Sequence, residues 1–192
     1  MSVVCGVGRI GAVAGCLLLA GSCTTLNKQE CAQGDWYGIG YRDGLNGRDI
    51  TFVDLHGEAC ARIDIAPDVT LWREGRQAGL KVYCTPRSAF RVAAGGGRFH
   101  PVCTPDLIAD PATLEEARQA GERLYRIERD LSDAHTDLAE VRQSKLDLEA
   151  AGPDEETADE RLRLERKERR LENEIDRLKR ARDRAADREP EA

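Results

Sequence analysis

The sequence predicts a mainly α-helical protein: a small disulfide-stapled helical head followed by a long antiparallel helical hairpin of coiled-coil type. Three observations predict it. A glycine stripe at helical spacing recurs in the first half of the chain. A heptad of apolar residues runs through the second half. Between them the composition changes sharply. Of the 192 residues, 33% are charged and 5% are aromatic. Eight of the nine aromatics lie from Trp36 to Phe99, and only Tyr125 lies beyond. Residues 113–192 hold 24 Asp/Glu and 18 Lys/Arg, whereas the remainder holds 11 of each. A tail so charged and so poor in aromatics cannot fill an ordinary globular core, which argues against a single large enzyme domain.

The N-terminus reads as an address, residues 1–22 being a lipoprotein signal peptide. An uncharged stretch from Ile10 to Ala20 follows Arg9. It is too short to span a bilayer, which needs ~20 residues, and it suits a signal-peptide hydrophobic region. Leu19-Ala20-Gly21-Ser22-Cys23 resembles a bacterial lipobox, which makes Cys23 the expected site of lipidation. Cys16, after Val13-Ala14-Gly15, is a rival, but it leaves too few apolar residues after Arg9. An ordinary secretory signal with Cys23 left free is the plainer alternative. The expected location is therefore the bacterial cell envelope, anchored in membrane lipid through acylated Cys23 and facing the periplasm. Thr24 in place of Asp leans towards the outer membrane by resemblance to enterobacterial sorting rules.

Residues 23–112 are expected to form the head. Its four cysteines, Cys31, Cys60, Cys84 and Cys103, are even in number in an exported chain, which predicts two disulfides with three possible connectivities. A zinc site using His56, Cys60, Cys84 and His100 or Cys103 is the rival, because His56 and Cys60 share a helix face. Exported thiols oxidise and no Cys-x2-Cys pair is present, so no metal and no cofactor are expected. His56 is then a solvent-facing or hydrogen-bonded helical residue.

The glycine stripes sit in two similar segments. Trp36, Gly40, Gly44 and Gly47 fall on one helix face, as do Trp72, Gly75, Gly79 and Val82. Glycine costs a helix interior ~1 kcal/mol relative to Ala, so a repeated stripe points to close backbone approach between two helices. Arg118-Gln-Ala-Gly121 is a fainter third copy. The Arg, Asp and Glu beside the glycines are read as surface charges. Asp35 and Asp68 are expected N-caps, Val53–Ile63 a short helix, and Thr85-Pro86 a helix stop. Residues from Arg87 to Thr104, with three consecutive glycines, are expected to be loop. Those glycines lack the order of a phosphate-binding loop.

The motif order is specific. It runs Glu30-Cys31-x3-Asp35-Trp36-Tyr37-x-Ile39-Gly40-Tyr41-x-Asp43-Gly44-x2-Gly47, then His56-x3-Cys60. It continues Pro67-Asp68-x3-Trp72-x2-Gly75-Arg76-x2-Gly79-Leu80-x2-Tyr83-Cys84-Thr85-Pro86, then Gly97-x-Phe99-x2-Val102-Cys103. From about Cys23 to Ile127 the chain resembles the domain-of-unknown-function 2799 family of small bacterial lipoproteins. The resemblance implies an exported, disulfide-bonded lipoprotein and supplies no reaction.

Residues 113–192 are expected to fold back as a charged coiled-coil hairpin with a frayed C-terminus. Ala117, Leu124, Leu131, Leu138 and Lys145 occupy one heptad position, and Ala120, Ile127, Ala134, Val141 and Leu148 the other. Gly152-Pro153 breaks the run. Leu164, Leu171, Leu178 and Ala185, with Arg161, Glu168, Ile175 and Arg182, carry the seam back. Residues 113–150 are net −4 and residues 161–184 net +5, which suggests arms that attract. A dimer through the first arm and a disordered polyampholyte tail, above all beyond Arg180, are the alternatives. Nucleic acid is excluded as a partner, because acids interrupt the basic arm and aromatics for stacking are missing.

These readings favour a structural or protein-interaction lipoprotein, not an enzyme. Its partner would be another envelope protein, or a second copy engaged through the coiled coil. The alternative is a small envelope enzyme or ligand-binding module built on Asp35, Asp43, His56 and Glu58.

Overall fold

A computed structural model describes residues 25–152 and 155–191 of the chain. Cys23, the signal segment, Pro153 and Asp154 lie outside the described residues. Among those described there is no strand, and no helix is long and apolar enough to cross a membrane. The elements are α1 (Lys28–Gln33), α2 (Trp36–Leu45), α3 (Phe52–Cys60) with a 3-10 turn at Ala61–Ile63, α4 (Val69–Tyr83), α5 (Pro86–Ala94), α6 (Pro111–Ala151) and α7 (Glu155–Ala186).

The starts of α1, α2, α4 and α5 each carry a capping side chain. Asn27 accepts from the amides of Gln29 and Glu30, and the Glu30 carboxylate returns to the Asn27 amide, a reciprocal capping box. Asp35 caps α2 through the Gly38 amide, and Asp68 caps α4 through Thr70 and Leu71. Thr85-Pro86 ends α4 as expected, but it also opens α5, in the stretch expected to be loop. Thr85 accepts from the Ser88 amide and donates to the Val82 carbonyl, while Pro86 sits in the first turn, where its missing N–H costs nothing. The glycine run begins only after α5 has buried Ala89, Phe90 and Ala93.

The glycine stripes meet where α2 crosses α4. A Cβ on Gly40 would lie 2.0 Å from the Trp72 carbonyl oxygen, and one on Gly75 2.0 Å from that of Tyr37. Gly44 and Gly79 are equally closed, at 2.2 Å from the carbonyl oxygens of Arg76 and Tyr41. Backbone packs on backbone, and no side chain fits between. Gly47 does not extend this stripe. It lies past the end of α2 at φ +62°, and a Cβ there would enter the ring of Tyr83.

The crossing of α5 on α6 repeats this plan. A Cβ on Gly121 would lie 2.2 Å from the Phe90 carbonyl oxygen, as Gly79 stands to Tyr41. Gly96, at φ +72° past the end of α5, lies under the ring of Tyr125, as Gly47 lies under Tyr83. In the second pair Ala89 and Ala93 stand where the first has Gly40 and Gly44, and Ala117 stands for Gly75. The faint third copy is thus half of a second crossing, whose other half is α5.

Two disulfides join neighbours in sequence, Cys31–Cys60 and Cys84–Cys103. Loops of 29 and 19 residues make each worth about 3–4 kcal/mol by loop-closure entropy. The first ties α1 to α3 beside Leu26, Trp36, Ile39 and Trp72. The second pins the segment after α5 against Leu80 and Tyr83. Tyr83 stacks on Phe99 and accepts from the His100 amide, and burial holds its phenol above the ordinary range.

The hairpin forms as the heptads foretell. Leu131, Ala134, Leu138 and Val141 of α6 close on Leu171 and Ile175 of α7. Arg161 donates to the carbonyls of Leu148 and Gly152 at the end of α6, a cation at a helix C-terminus. The heptad seam is filled within one chain. The ion pairs between the arms are the reverse of those suggested by net charge: the minority charges meet. Arg142 and Lys145 of α6 hold Glu168 of α7, and Arg142 also reaches Glu172. Nor is the C-terminus frayed as expected. After Ala186 the chain turns onto α5, where Glu189 pairs with Arg91 at 2.6 Å and Arg87 donates to the Pro190 carbonyl.

Two outcomes follow. Gly40→Ala overpacks a rigid crossing and should destabilise by about 1–3 kcal/mol or more. Gly57→Ala, in the interior of α3 with only Pro67 carbons at 3.8 Å, should be neutral or stabilising by up to about 1 kcal/mol. Thermal melts of both variants, disulfides intact, check the contrast. Lys145 and Arg142 hold the Glu168 carboxyl below its ordinary 4.5. Its contribution is therefore complete above that value and is lost as pH falls through the depressed one. Acid titration followed by circular dichroism should show this loss in the wild type and not in Glu168→Gln.

Candidate functional site

The crossing of α2 on α4 places one carboxylate inside the head. Asp43 lies between Gly40 and Gly44, so close approach carries it against α4 and away from water. It is 8% exposed. Its Oδ2 accepts two hydrogen bonds, from Trp72 Nε1 at 2.8 Å and from His56 Nε2 at 2.8 Å. Indole nitrogen only donates. His56 Nδ1 faces the hydroxyl of Thr25 at 2.8 Å. Thr25 Oγ1 also lies 3.2 Å from the Leu55 carbonyl, on the same turn of α3.

His56 is therefore helical and hydrogen-bonded, but it does not face solvent. It is 2% exposed, with Phe52 edge-on to its ring. Arg76 of α4 is likewise buried rather than a surface charge. Its Nε donates to the Arg48 carbonyl, and its guanidinium lies 5.9 Å from the Trp72 ring centroid. Burial lowers its pKa, and the charges of Asp49 and Asp43 act against that. At the rim Arg42 pairs with Glu30, whose carboxyl is held below the ordinary range by the Asn27 amide first and by Arg42 after it. A depression of about 400 Å³ opens beside the cluster, lined by Thr25, Glu30, Arg42, Asp43, Arg48 and His56.

Of the four polar residues singled out in the head, the structure brings together only Asp43 and His56. Asp35 is spent as the cap of α2, and Glu58 is exposed on α3. The zinc alternative loses Cys60, Cys84 and Cys103 to disulfides. Among the described residues no group of three or more His, Cys, Asp or Glu could hold a metal ion. Thr25, Trp72 Nε1 and Arg76 complete the cluster and were not foreseen as partners. The one available signal was an acid on a glycine stripe, which is by construction a buried face.

The order hydroxyl, imidazole, carboxylate matches that of an acyl-transfer relay. Here, however, the imidazole is enclosed and both its nitrogens are engaged within the fold. The second crossing shows what the cluster is for. Val92 stands before Ala93 as Asp43 stands before Gly44, and Leu114 precedes Gly121 as Trp72 precedes Gly79. That crossing packs without any polar group, so Asp43 is no requirement of packing. Its effect is to hold α3, through His56, and the incoming chain, through Thr25.

The model of a family described as "Protein of unknown function (DUF2799)" matches residues 35–122. The match covers 88 of the 192 residues. No curated protein and no solved structure matches the chain. The DUF2799 match opens on Asp35, the cap of α2, and closes just after Gly121. It therefore contains both crossings, together with the first turns of α6, and leaves out Thr25, α1 and the hairpin. Within the matched residues lie Asp43, His56, Trp72 and Arg76; the hydroxyl that completes the cluster comes from outside them.

Asp43→Ala leaves two buried donors without an acceptor, each costing about 1–3 kcal/mol, and should destabilise the head by about 2–4 kcal/mol in all. His56→Leu should cost less. The two should couple by about 1–2 kcal/mol in a double-mutant cycle measured by denaturant unfolding.

Proposed function

We propose that this protein is a lipid-anchored component of the bacterial cell envelope with a structural or protein-interaction role and no catalytic one. Acylation at Cys23 is the anchor, and the head faces the periplasm. The outer membrane is the preferred location, because Thr24 rather than Asp follows Cys23. One observation carries the anchoring: the four cysteines of the head pair among themselves, so none of them is left to take up Cys23. Disulfides also suit an exported chain.

The position of Thr25 adds to this reading. It stands two positions after Cys23, a reach of at most ~7 Å. An acyl group on Cys23 thus keeps the head close to the lipid, and the Thr25–His56 bond fixes which side of the head faces it. The absence of a catalytic role rests on His56, whose ring is closed off by Asp43, Thr25 and Phe52. The hairpin, stiff and exposed along its length, is the part that meets a partner.

Labelling cells with a radioactive fatty acid tests the anchor. Wild-type protein should take up label and stay with membranes through a high-salt wash. Cys23→Ser should lose the label and be released. Label retained by Cys23→Ser would shift the anchor to Cys16. No label on either would leave a plain secretory signal. In-cell crosslinking of the full chain and of a chain in which residues 139–173, the outer part of the hairpin beyond the second crossing, are replaced by a short glycine turn tests the role. Loss of crosslinked partners with the hairpin supports it, and an unchanged set overturns it.

A further inference from the structure

No arginine on the outside of α7 takes part in the ion pairs that join the two arms. The α7 seam residues Leu164, Leu171, Ile175 and Leu178 pack against α6. On the opposite side, at alternating spacings of three and four, stand Arg163, Arg166, Arg170, Arg177, Arg180 and Arg184, all exposed, with Asn173 in the one gap. Such spacing keeps one face of a helix, and 21 residues of helix extend the row to about 32 Å. Arg163 and Arg177 make long exposed contacts with Glu160 at 3.6 Å and Glu174 at 3.5 Å. The other four make no ion pair among the described residues. The cross-arm pairs draw on Arg142 and Lys145 of α6 instead.

We propose that this arginine row is a docking surface for an anionic phospholipid bilayer, against which the hairpin lies along its length. The chemistry recognised is a plane of phosphate groups. A straight row can meet such a plane with all six guanidinium groups at once, each donating from its fork to phosphate oxygens. Each Lys or Arg beside an anionic bilayer strengthens attachment roughly five-fold. The row carries no apolar side chain, so the contact is superficial and electrostatic. The acids of α6 do not cancel it. They sit on the other arm, about a helix diameter of 10 Å away, and the screening length in physiological salt is about 8 Å.

The competing occupant is the acidic side of a second copy, with Asp133, Asp137, Glu140 and Asp147. That set spans 14 residues, about 21 Å, and cannot engage the whole row. Exposed ion pairs between long side chains are also individually weak. The lipid contact needs no acyl chain, so it stands or falls separately from the anchoring at Cys23.

The test uses the oxidised chain from residue 23 onward with Cys23→Ser, which cannot be acylated. It is sedimented with vesicles of phosphatidylcholine, with or without about one-third phosphatidylglycerol. The expected result is binding to the anionic vesicles alone at low salt, lost near 0.5 M salt, where the screening length falls to about 4 Å. Changing all six arginines to Gln should weaken binding at least ~100-fold, and changing all six to Lys should preserve most of it. The Lys variant separates charge from any folding defect of the Gln variant. No binding at low salt, or equal binding by a folded Gln variant, overturns the proposal. So does salt-sensitive self-association without vesicle binding, which would assign the row to a second copy.

Discussion

The head depends on backbone meeting backbone where α2 crosses α4. With Gly40 and Gly44 set against Gly75 and Gly79, the helices come closer than any side chain allows. That approach is what buries Asp43, which stands on the face of α2 turned to α4, while Tyr41 and Arg42 between the same glycines point outward. A buried carboxylate is tolerable only if donors meet it. Trp72 supplies one from the partner helix, and His56 brings another with the whole of α3. The ring of His56 in turn offers its second nitrogen to Thr25. One close contact thus sets a chain of hydrogen bonds that ends where the polypeptide enters the head.

The second crossing separates what such a contact needs from what the first has added. Small residues at the interface and a positive-φ glycine beneath a tyrosine ring are common to both. Ala89, Ala93 and Ala117 suffice for three of the glycines. Asp43, by contrast, has Val92 as its counterpart, and no third helix is hooked to that crossing by a polar side chain. There α7 is held by apolar contact instead, with Ala185 packed beside Phe90 and Leu124. The pair of crossings therefore works as a natural control: the polar cluster organises the entry of the chain, and the glycine packing stands without it.

What could be read from the sequence follows the range of the interactions involved. The caps at Asp35 and Asp68, the glycine stripes and the heptads are local and periodic, and they were legible. Gly47 was misread because its spacing continues the stripe by one more step; only the backbone dihedral shows that the helix has already ended. Helix α5 was missed because a proline after a helix signals a stop, and the same proline fits a first turn. The disulfide pairing depends on which helix ends meet, and spacing alone does not say. Asp43, His56 and Thr25 come from three separate segments, so no periodicity links them. Net charge misled in another way, since it sums over faces. The arms differ in sign, yet their contacts are made by the minority residues at the seam edge.

That reversal has a physical reason. Charges beside an apolar seam are partly withdrawn from water, so each must have its own partner in register, and few positions can satisfy this. Lys145 occupies a seam position and has to be answered, which Glu168 does from across the hairpin at 2.6 Å. A shift of one arm by a heptad would bring Lys145 opposite another residue and leave the ion pair broken, so this polar layer selects the register in the way single polar seam residues do in coiled coils. The outward positions face no such demand. Charge placed there does nothing for the choice of fold, and a uniform row of arginines persisting over six turns is not a consequence of how the hairpin closes. Its regularity belongs to whatever lies outside the molecule, and a planar, negatively charged surface is what a straight row of that length fits.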